Sequence, residues 1–216
     1  MHLPFRDIVI EKCDDVVIVA LPISAVDLDH PYVPIPPRLK SSTILRQREY
    51  VAGRLCAQAA ILRRTGRTVD VGQDERGLPI WPSNIIGSIA HSTGIACAAV
   101  VEQSPNRRIG IDIEGILPHD QVDEVLDVCA SPEERRSYST PIGATTLFSV
   151  KESFYKAFAE DLGTAIEFTD VVAGPLASNG VVQLTLRTAI GSLSQAHSAE
   201  AFVVVEHDVV VTLVRH

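Results

Sequence analysis

The chain has 216 residues, a formal net charge of −8 at neutral pH and 46% hydrophobic residues. That length is long for one domain and short for two independent ones, and it allows a core that buries on the order of two-thirds of the unfolded surface. The acidic balance argues against broad nucleic-acid binding, which needs a basic surface, and no apolar run reaches the roughly 18 residues of a membrane-spanning helix.

The opening Met1-His-Leu-Pro-Phe-Arg-Asp7 lacks a basic region followed by an apolar stretch, which predicts no signal peptide and a cytoplasmic protein. Apolar runs at Ile8-Val-Ile10 and Val16–Pro22 predict one or two short strands, and the proline-rich Pro31–Pro37 an ordered loop. From Ser41 to about Arg64 the pattern turns helical. Ala52, Leu55, Ala59 and Leu62 form an apolar face, Ser41 or Ser42 caps the start and Gly66 ends the helix. Gly77–Pro82 reads as loop, and Ile85–Val101 contains a strand around Ile95–Val101. A turn at Ser104–Arg108 leads into the strand Ile109-Gly-Ile-Asp-Ile-Glu114. Ser131, Pro132 and Glu134 hold the N-cap, first and third positions of a helix start. A longer helix covers about Gly143–Glu160, and strands follow at Val181–Leu186, Ala201–Glu206 and Val209–Val214. Strands, long helix, strands thus occur twice, dividing near residue 105 and predicting an α+β protein with halves 1–105 and 106–216. The four cysteines, at 13, 56, 97 and 129, form no Cys-x-x-Cys pair; neither a zinc ribbon nor a disulfide framework is expected.

In Ile109–Glu114 the period of two sends Asp112 and Glu114 to one strand face, about 7 Å apart along the strand. Two like charges so close are unfavourable unless a cation sits between them. In Phe148-Ser-Val-Lys-Glu-Ser-Phe-Tyr-Lys156-Ala-Phe158, Glu152 and Lys156 are helix neighbours at i, i+4. Alone, the first motif reads as an exposed strand face and the second as an ordinary surface ion pair.

Together, in this order and at this separation, the two motifs resemble the Sfp-type 4'-phosphopantetheinyl transferases, and in particular the siderophore (enterobactin-synthetase component D-like) subgroup. The resemblance runs from about residue 45 to 160. It implies a pseudo-twofold pair of α/β halves binding coenzyme A. It implies magnesium held by Asp112, Glu114 and Glu152, and Lys156 on the coenzyme A pyrophosphate. Magnesium fits three hard carboxylate donors, since it keeps waters and substrate phosphates in its shell. Glu152 is also the candidate general base, with Lys156 beside it as the second catalytic residue.

Further matches extend the resemblance into the first half. Gly87-Ser-Ile-Ala-His91-Ser92 is similar to a Ser-His segment whose histidine contacts the 3'-phosphate; Ala90 stands where Ser or Thr is usual, with Ser88 and Ser92 the candidate substitute hydroxyls. The helix segment Arg46–Arg54 is similar to an arginine-rich, Gly-Arg helix that reaches the nucleotide phosphates, which makes Arg54 and then Arg46 candidates. In Arg76-Gly-Leu-Pro79, Leu78 replaces a frequent basic residue and Arg76 can supply the charge beside the Pro79 turn. The implied reaction moves the 4'-phosphopantetheine arm of coenzyme A to a serine of an apo-carrier protein (peptidyl, aryl or acyl). The implied enzyme is monomeric, and its carrier docks on the second half, where Arg135 and Arg136 form a local basic pair. The same carboxylates and lysine would also serve a metal-dependent phosphohydrolase or nucleotidyl enzyme, or a non-catalytic coenzyme A binding module.

Overall fold

The computed structural model describes residues 3–10, 13–29, 33–163 and 166–216. It divides the chain into two compact units, residues 1–105 and 106–216, each mixing helix and sheet.

The first unit is built on a four-stranded antiparallel sheet. Its strands are β1 (Arg6–Ile8), β2 (Val17–Pro22), β5 (Ile85–Ser92) and β6 (Ile95–Glu102), in the order β1-β2-β6-β5. Helix α1 (Ile44–Thr65) packs across β6, β2 and β5. In the sequence between α1 and β5, β3 (Gly72–Gln73) and β4 (Pro79–Ile80) form a two-stranded ribbon where the sequence predicts a plain loop. The expected single strand before residue 101 is a hairpin of β5 and β6, turned at Thr93 and Gly94 with positive φ.

Helix α1 begins later than expected. Thr43 is the N-cap, its hydroxyl accepting from the Arg46 amide at 3.2 Å, because Ser42 turns its own hydroxyl onto the Leu39 carbonyl. Gly66 ends it in the left-handed region, φ 71°, which suits a residue without Cβ. Of the expected apolar face, Ala52 and Leu55 are buried and Ala59 packs half-buried against the core. Val51, Ala52, Cys56, Ala60 and Ile61 are in the core, whereas Leu62 is 46% exposed. Small residues at 52, 53, 56, 57 and 60 let the helix lie close to the sheet. Of the proline-rich stretch, Pro31 and Tyr32 lie outside the described residues; Val33 is buried in this core and Pro37–Leu39 forms one turn of 3-10 helix.

The second unit is a five-stranded antiparallel sheet in the order β7-β11-β10-β9-β8, where β7 is Ile109–Gly115, β8 Val171–Ala173, β9 Val181–Leu186, β10 Ser198–Glu206 and β11 Val209–Arg215. Helices α2 (Val122–Cys129), α3 (Pro132–Ser137) and α4 (Pro141–Leu162) precede β8. The short α2 and β8 were not anticipated. Helix α3 opens with the expected capping box, Ser131 and Glu134 each bonding the other's backbone amide. Helix α4 packs on β7 and β11, and Gly110 makes that packing possible. A Cβ at Gly110 would fall 2.0 Å from the Ser153 carbonyl oxygen and 2.6 Å from the Ala157 nitrogen. Gly110, Asp112 and Glu114 therefore share the strand face that α4 covers.

Among the described residues, no helix is long and apolar enough to cross a membrane. All four cysteines are free and buried.

Candidate active site

In the second unit, α4 delivers its polar side chains onto β7. Asp112 is 3% exposed, and its two oxygens have different partners. Oδ1 accepts from Lys156 Nζ at 2.6 Å, and Oδ2 accepts from Ser149 Oγ at 2.8 Å. Glu152, half-buried one turn before Lys156, has its carboxyl pushed above the usual range. Burial is the main cause; the Lys156 ammonium opposes it and the Asp112 charge adds to it. Asp112, Glu152 and Lys156 are thus electrostatically one cluster. Glu114, half-buried, sits two residues on along the same face and opposite Val210. As the side chains stand, no three His, Cys, Asp or Glu groups among the described residues are arranged to hold a metal ion. The ammonium of Lys156 is the cation paired with Asp112.

The neighbouring Lys151 has a different task. It is fully buried, and its Nζ donates to the carbonyls of Cys129 (2.7 Å) and Phe168 (3.0 Å) and pairs with Glu134 at 2.9 Å. Glu134 in turn accepts from the Ser131 and Ala173 amides, both at 2.7 Å. Burial holds the Lys151 ammonium below the usual lysine range, with Glu134 opposing that shift. A buried pair with every donor and acceptor filled ties α3, α4 and β8 together, and so fixes the helix that carries Glu152 and Lys156.

The first unit carries a cavity of about 420 Å³. It is lined by Arg46, Arg54, Arg76, Pro79 and His91, all anticipated, together with Arg38, Glu49, Tyr50 and Gln73, which were not. Arg54 is its most informative member. Only 5% exposed, it lies under a cation–π contact with the Tyr50 ring at 4.9 Å, and its Nε is buried without a hydrogen-bond partner. Burial lowers its pKa, Tyr50 offsets this in part and the Arg38 charge adds to it. A guanidinium lining a cavity among Arg38, Arg46 and Arg76 gives it the charge to receive an anion. Gly53 explains how the residue gets there: a Cβ would come within 2.8 Å of Ile89 Cγ2, so the glycine admits α1 to β5 rather than a ligand to α1.

Arg46 bridges Glu49 Oε2 at 3.1 Å and His91 Nε2 at 2.8 Å. Arginine can only donate, so His91 Nε2 is the acceptor in this geometry. Arg76 is exposed at the rim beside Asp74, and Pro79 contributes from β4. Ser88 is buried on the opposite face of β5 from Ile89 and His91 and is not part of this cavity's lining; period-two alternation dictates this, and it places Ala90 on that other face as well.

Arg135 is not an open basic site, since it pairs with Asp123 and Asp127 on α2. Of the new cavity residues, Glu49 and Tyr50 follow Arg46 by three and four positions, a helical spacing that pointed to them. Arg38 and Gln73 come from separate segments joined by Arg38 Nη2 donating to Gln73 Oε1 at 2.6 Å, for which no local signal exists.

Two family models match the chain. Residues 36–101 match the 4'-phosphopantetheinyl transferase N-terminal domain, and residues 108–214 match the 4'-phosphopantetheinyl transferase superfamily. Among curated proteins, the chain is similar to 4'-phosphopantetheinyl transferase Npt of Nocardia iowensis, 39% identical over 118 residues, or 52% of each chain. It is 35% identical to enterobactin synthase component D of Salmonella typhimurium over 134 residues, 60% of this chain and 55% of that one. It is 31% identical to 4'-phosphopantetheinyl transferase PptT of Mycobacterium tuberculosis over 128 residues, 56% and 55% respectively. The chain spans about half the length of the curated relatives it matches.

Proposed function

The chain belongs to the 4'-phosphopantetheinyl transferase superfamily, and from that premise we propose that it transfers the 4'-phosphopantetheine arm of coenzyme A to a serine of an apo-carrier protein. The observation that carries the proposal is the Asp112–Glu152–Lys156 cluster, two carboxylates and an ammonium facing one another where α4 crosses β7. A pyrophosphate needs cations around it, and a serine hydroxyl needs a base.

The hydroxyl oxygen attacks the β-phosphorus of coenzyme A. The bond to the bridging oxygen of the adenosine moiety breaks, and 3',5'-adenosine bisphosphate leaves. Glu152 takes the hydroxyl proton. Its burial raises its proton affinity, which suits a base that must hold a proton during transfer. Lys156 turns from Asp112 to the pyrophosphate oxygens. Arg54, with Arg46, His91 and Arg76, holds the nucleotide phosphates in the first unit's cavity. Asp112, Glu114 and Glu152 supply the hard oxygens magnesium prefers. Magnesium bound there would neutralise charge on the pyrophosphate.

The names of the enterobactin synthase relatives support a carrier from siderophore or other non-ribosomal peptide synthesis. The test is the mass of an apo-carrier after incubation with coenzyme A, magnesium and this protein. A gain equal to the phosphopantetheine arm, on the serine, is expected. An unchanged carrier with coenzyme A hydrolysed would refute transfer and favour a phosphohydrolase.

A further inference from the structure

Behind Asp112 three buried hydroxyls form a continuous line. Ser149 Oγ lies 2.8 Å from Asp112 Oδ2, Thr212 Oγ1 lies 2.9 Å from Ser149 Oγ, and Ser153 Oγ lies 2.6 Å from Thr212 Oγ1. All three residues are fully buried. They come from two elements, α4 and β11, and the line ends on a third, β7. Thr212 is the register partner of Asp112 across the sheet, so its side chain stands on the same face.

Proton counting gives the line a direction. Each hydroxyl has one proton to donate, and an ionised carboxylate can only accept. Ser149 therefore donates to Asp112. In the Ser149–Thr212 contact Thr212 must then be the donor, sharing its proton with the Ser149 carbonyl at 2.9 Å. In the Thr212–Ser153 contact the donor is Ser153, which also reaches the Thr212 carbonyl at 3.0 Å. All three O–H dipoles point toward Asp112, the arrangement in which a chain of hydrogen bonds strengthens itself. The rest of β11 reads Val209-Val-Val before Thr212 and Leu213-Val after it. Valine has the same shape as threonine and would serve the strand equally well, so the hydroxyl is what sets position 212 apart.

We infer that Thr212 and Ser153 are positioning residues for Asp112. Acting through Ser149, they fix Oδ2 so that Oδ1 is presented to a cation, the role Lys156 now fills at 2.6 Å. The inference rests on the reading of Asp112 as a metal ligand. Partners behind a metal ligand typically change metal affinity by about ten- to a hundredfold; for Thr212, one bond further back, about tenfold is expected.

The experiment measures Mn²⁺ binding to the full chain without substrate, by calorimetry and electron paramagnetic resonance, alongside Tm and the kcat and KM of transfer. Thr212→Val should bind Mn²⁺ about tenfold more weakly and lower kcat, with KM for the carrier unchanged, while Thr212→Ser restores both. Ser153→Ala, which removes the first donor and leaves the strand intact, should shift binding in the same direction and decides the matter if Thr212→Val does not fold. The inference is overturned if Thr212→Val and Ser153→Ala bind Mn²⁺ like the wild type, or if Thr212→Ser is as impaired as Thr212→Val, which would make shape the cause. Asp112→Asn separates the two levels. If it keeps wild-type Mn²⁺ binding, Asp112 is no ligand and the proposed metal site falls; if it loses binding while the hydroxyl variants do not, only the relay falls.

Discussion

Gly110→Ala is a one-methyl change that should disable the site without touching a charged residue. The added Cβ would stand 2.0 Å from the Ser153 carbonyl oxygen, more than 1 Å short of the ordinary contact distance of 3.4 Å. Both obstructing atoms are helix backbone, so no side-chain rotation relieves the clash; α4 must move off β7. Overpacking of this kind costs about 1–3 kcal/mol, or roughly 4–8 °C in Tm per kcal/mol for a unit of this size. The functional loss should be larger than the stability loss. A 1 Å displacement of α4 carries Glu152 and Lys156 away from Asp112, and misplacement on that scale costs on the order of a hundredfold in rate. The assay is initial-rate transfer to an apo-carrier, run well below the variant's measured Tm, with circular dichroism to show that the fold persists. A variant with wild-type Tm and wild-type kcat would refute the claim that Gly110 sets the strand–helix distance. A lower Tm with unchanged kcat would refute the coupling of that distance to catalysis.

Glu152→Gln should lower kcat by about a hundred- to ten-thousandfold, the range of a general base, with the fold intact; rescue by excess magnesium would make Glu152 a ligand only. Arg54→Met should weaken coenzyme A binding by about ten- to a hundredfold, the equivalent of a charge-assisted contact, while leaving the Tm of the ligand-free protein unchanged or higher, because a buried unsatisfied donor is removed. A fall in Tm with unaltered coenzyme A affinity would assign Arg54 to the core instead. Asp161, hydrogen-bonded by Arg108 at 2.6 and 3.1 Å, is held below the usual carboxylate range chiefly by those bonds, against burial and with help from the Arg108 charge. Its stabilisation, about 0.5–1 kcal/mol for a pair of this exposure, is present above pH 3.8 and lost as pH falls through the lower folded value. The stability gap between wild type and Asp161→Asn in urea should accordingly shrink as the pH is lowered from about 5 toward 2; a gap independent of pH would exclude the ion pair as its source.

The elements legible in the sequence are those whose signals are local. The capping box at Ser131 and the glycine stop at Gly66 are complete within a few residues, and the structure has both. On α1 only Leu62 departs from the expected apolar face, because an apolar residue is not necessarily a buried one. Leu62 fits the helical period but is 46% exposed, while the small residues Ala52, Gly53, Cys56 and Ala57 are buried against the sheet. Helix α2 escaped notice because eight residues with three acids, Val122–Cys129, offer barely two turns of periodicity. The β3–β4 ribbon, with two residues per strand, has no periodicity to read.

The site divides in the same way. Asp112 and Glu114 follow from a period of two, Glu152 and Lys156 from a step of four, and the arginines of α1 from their place on one helix. What the sequence does not print is how these groups are held. Ser149 lies 63 residues from Thr212 and 37 from Asp112, so their contacts exist only once α4 is laid on β7 and β11. Local patterns can nominate a charged side chain because charge is costly to bury without a reason. They cannot nominate a threonine in a run of valines, where the fold is indifferent to the hydroxyl and only the partner across the sheet makes it matter. The same asymmetry explains Lys151. Lys151 stands in the same segment as Glu152 and Lys156, yet three acceptors from three distant segments, at Cys129, Glu134 and Phe168, turn it inward. In this unit the charged candidates were announced by sequence spacing, and the groups hydrogen-bonded behind them were set by topology.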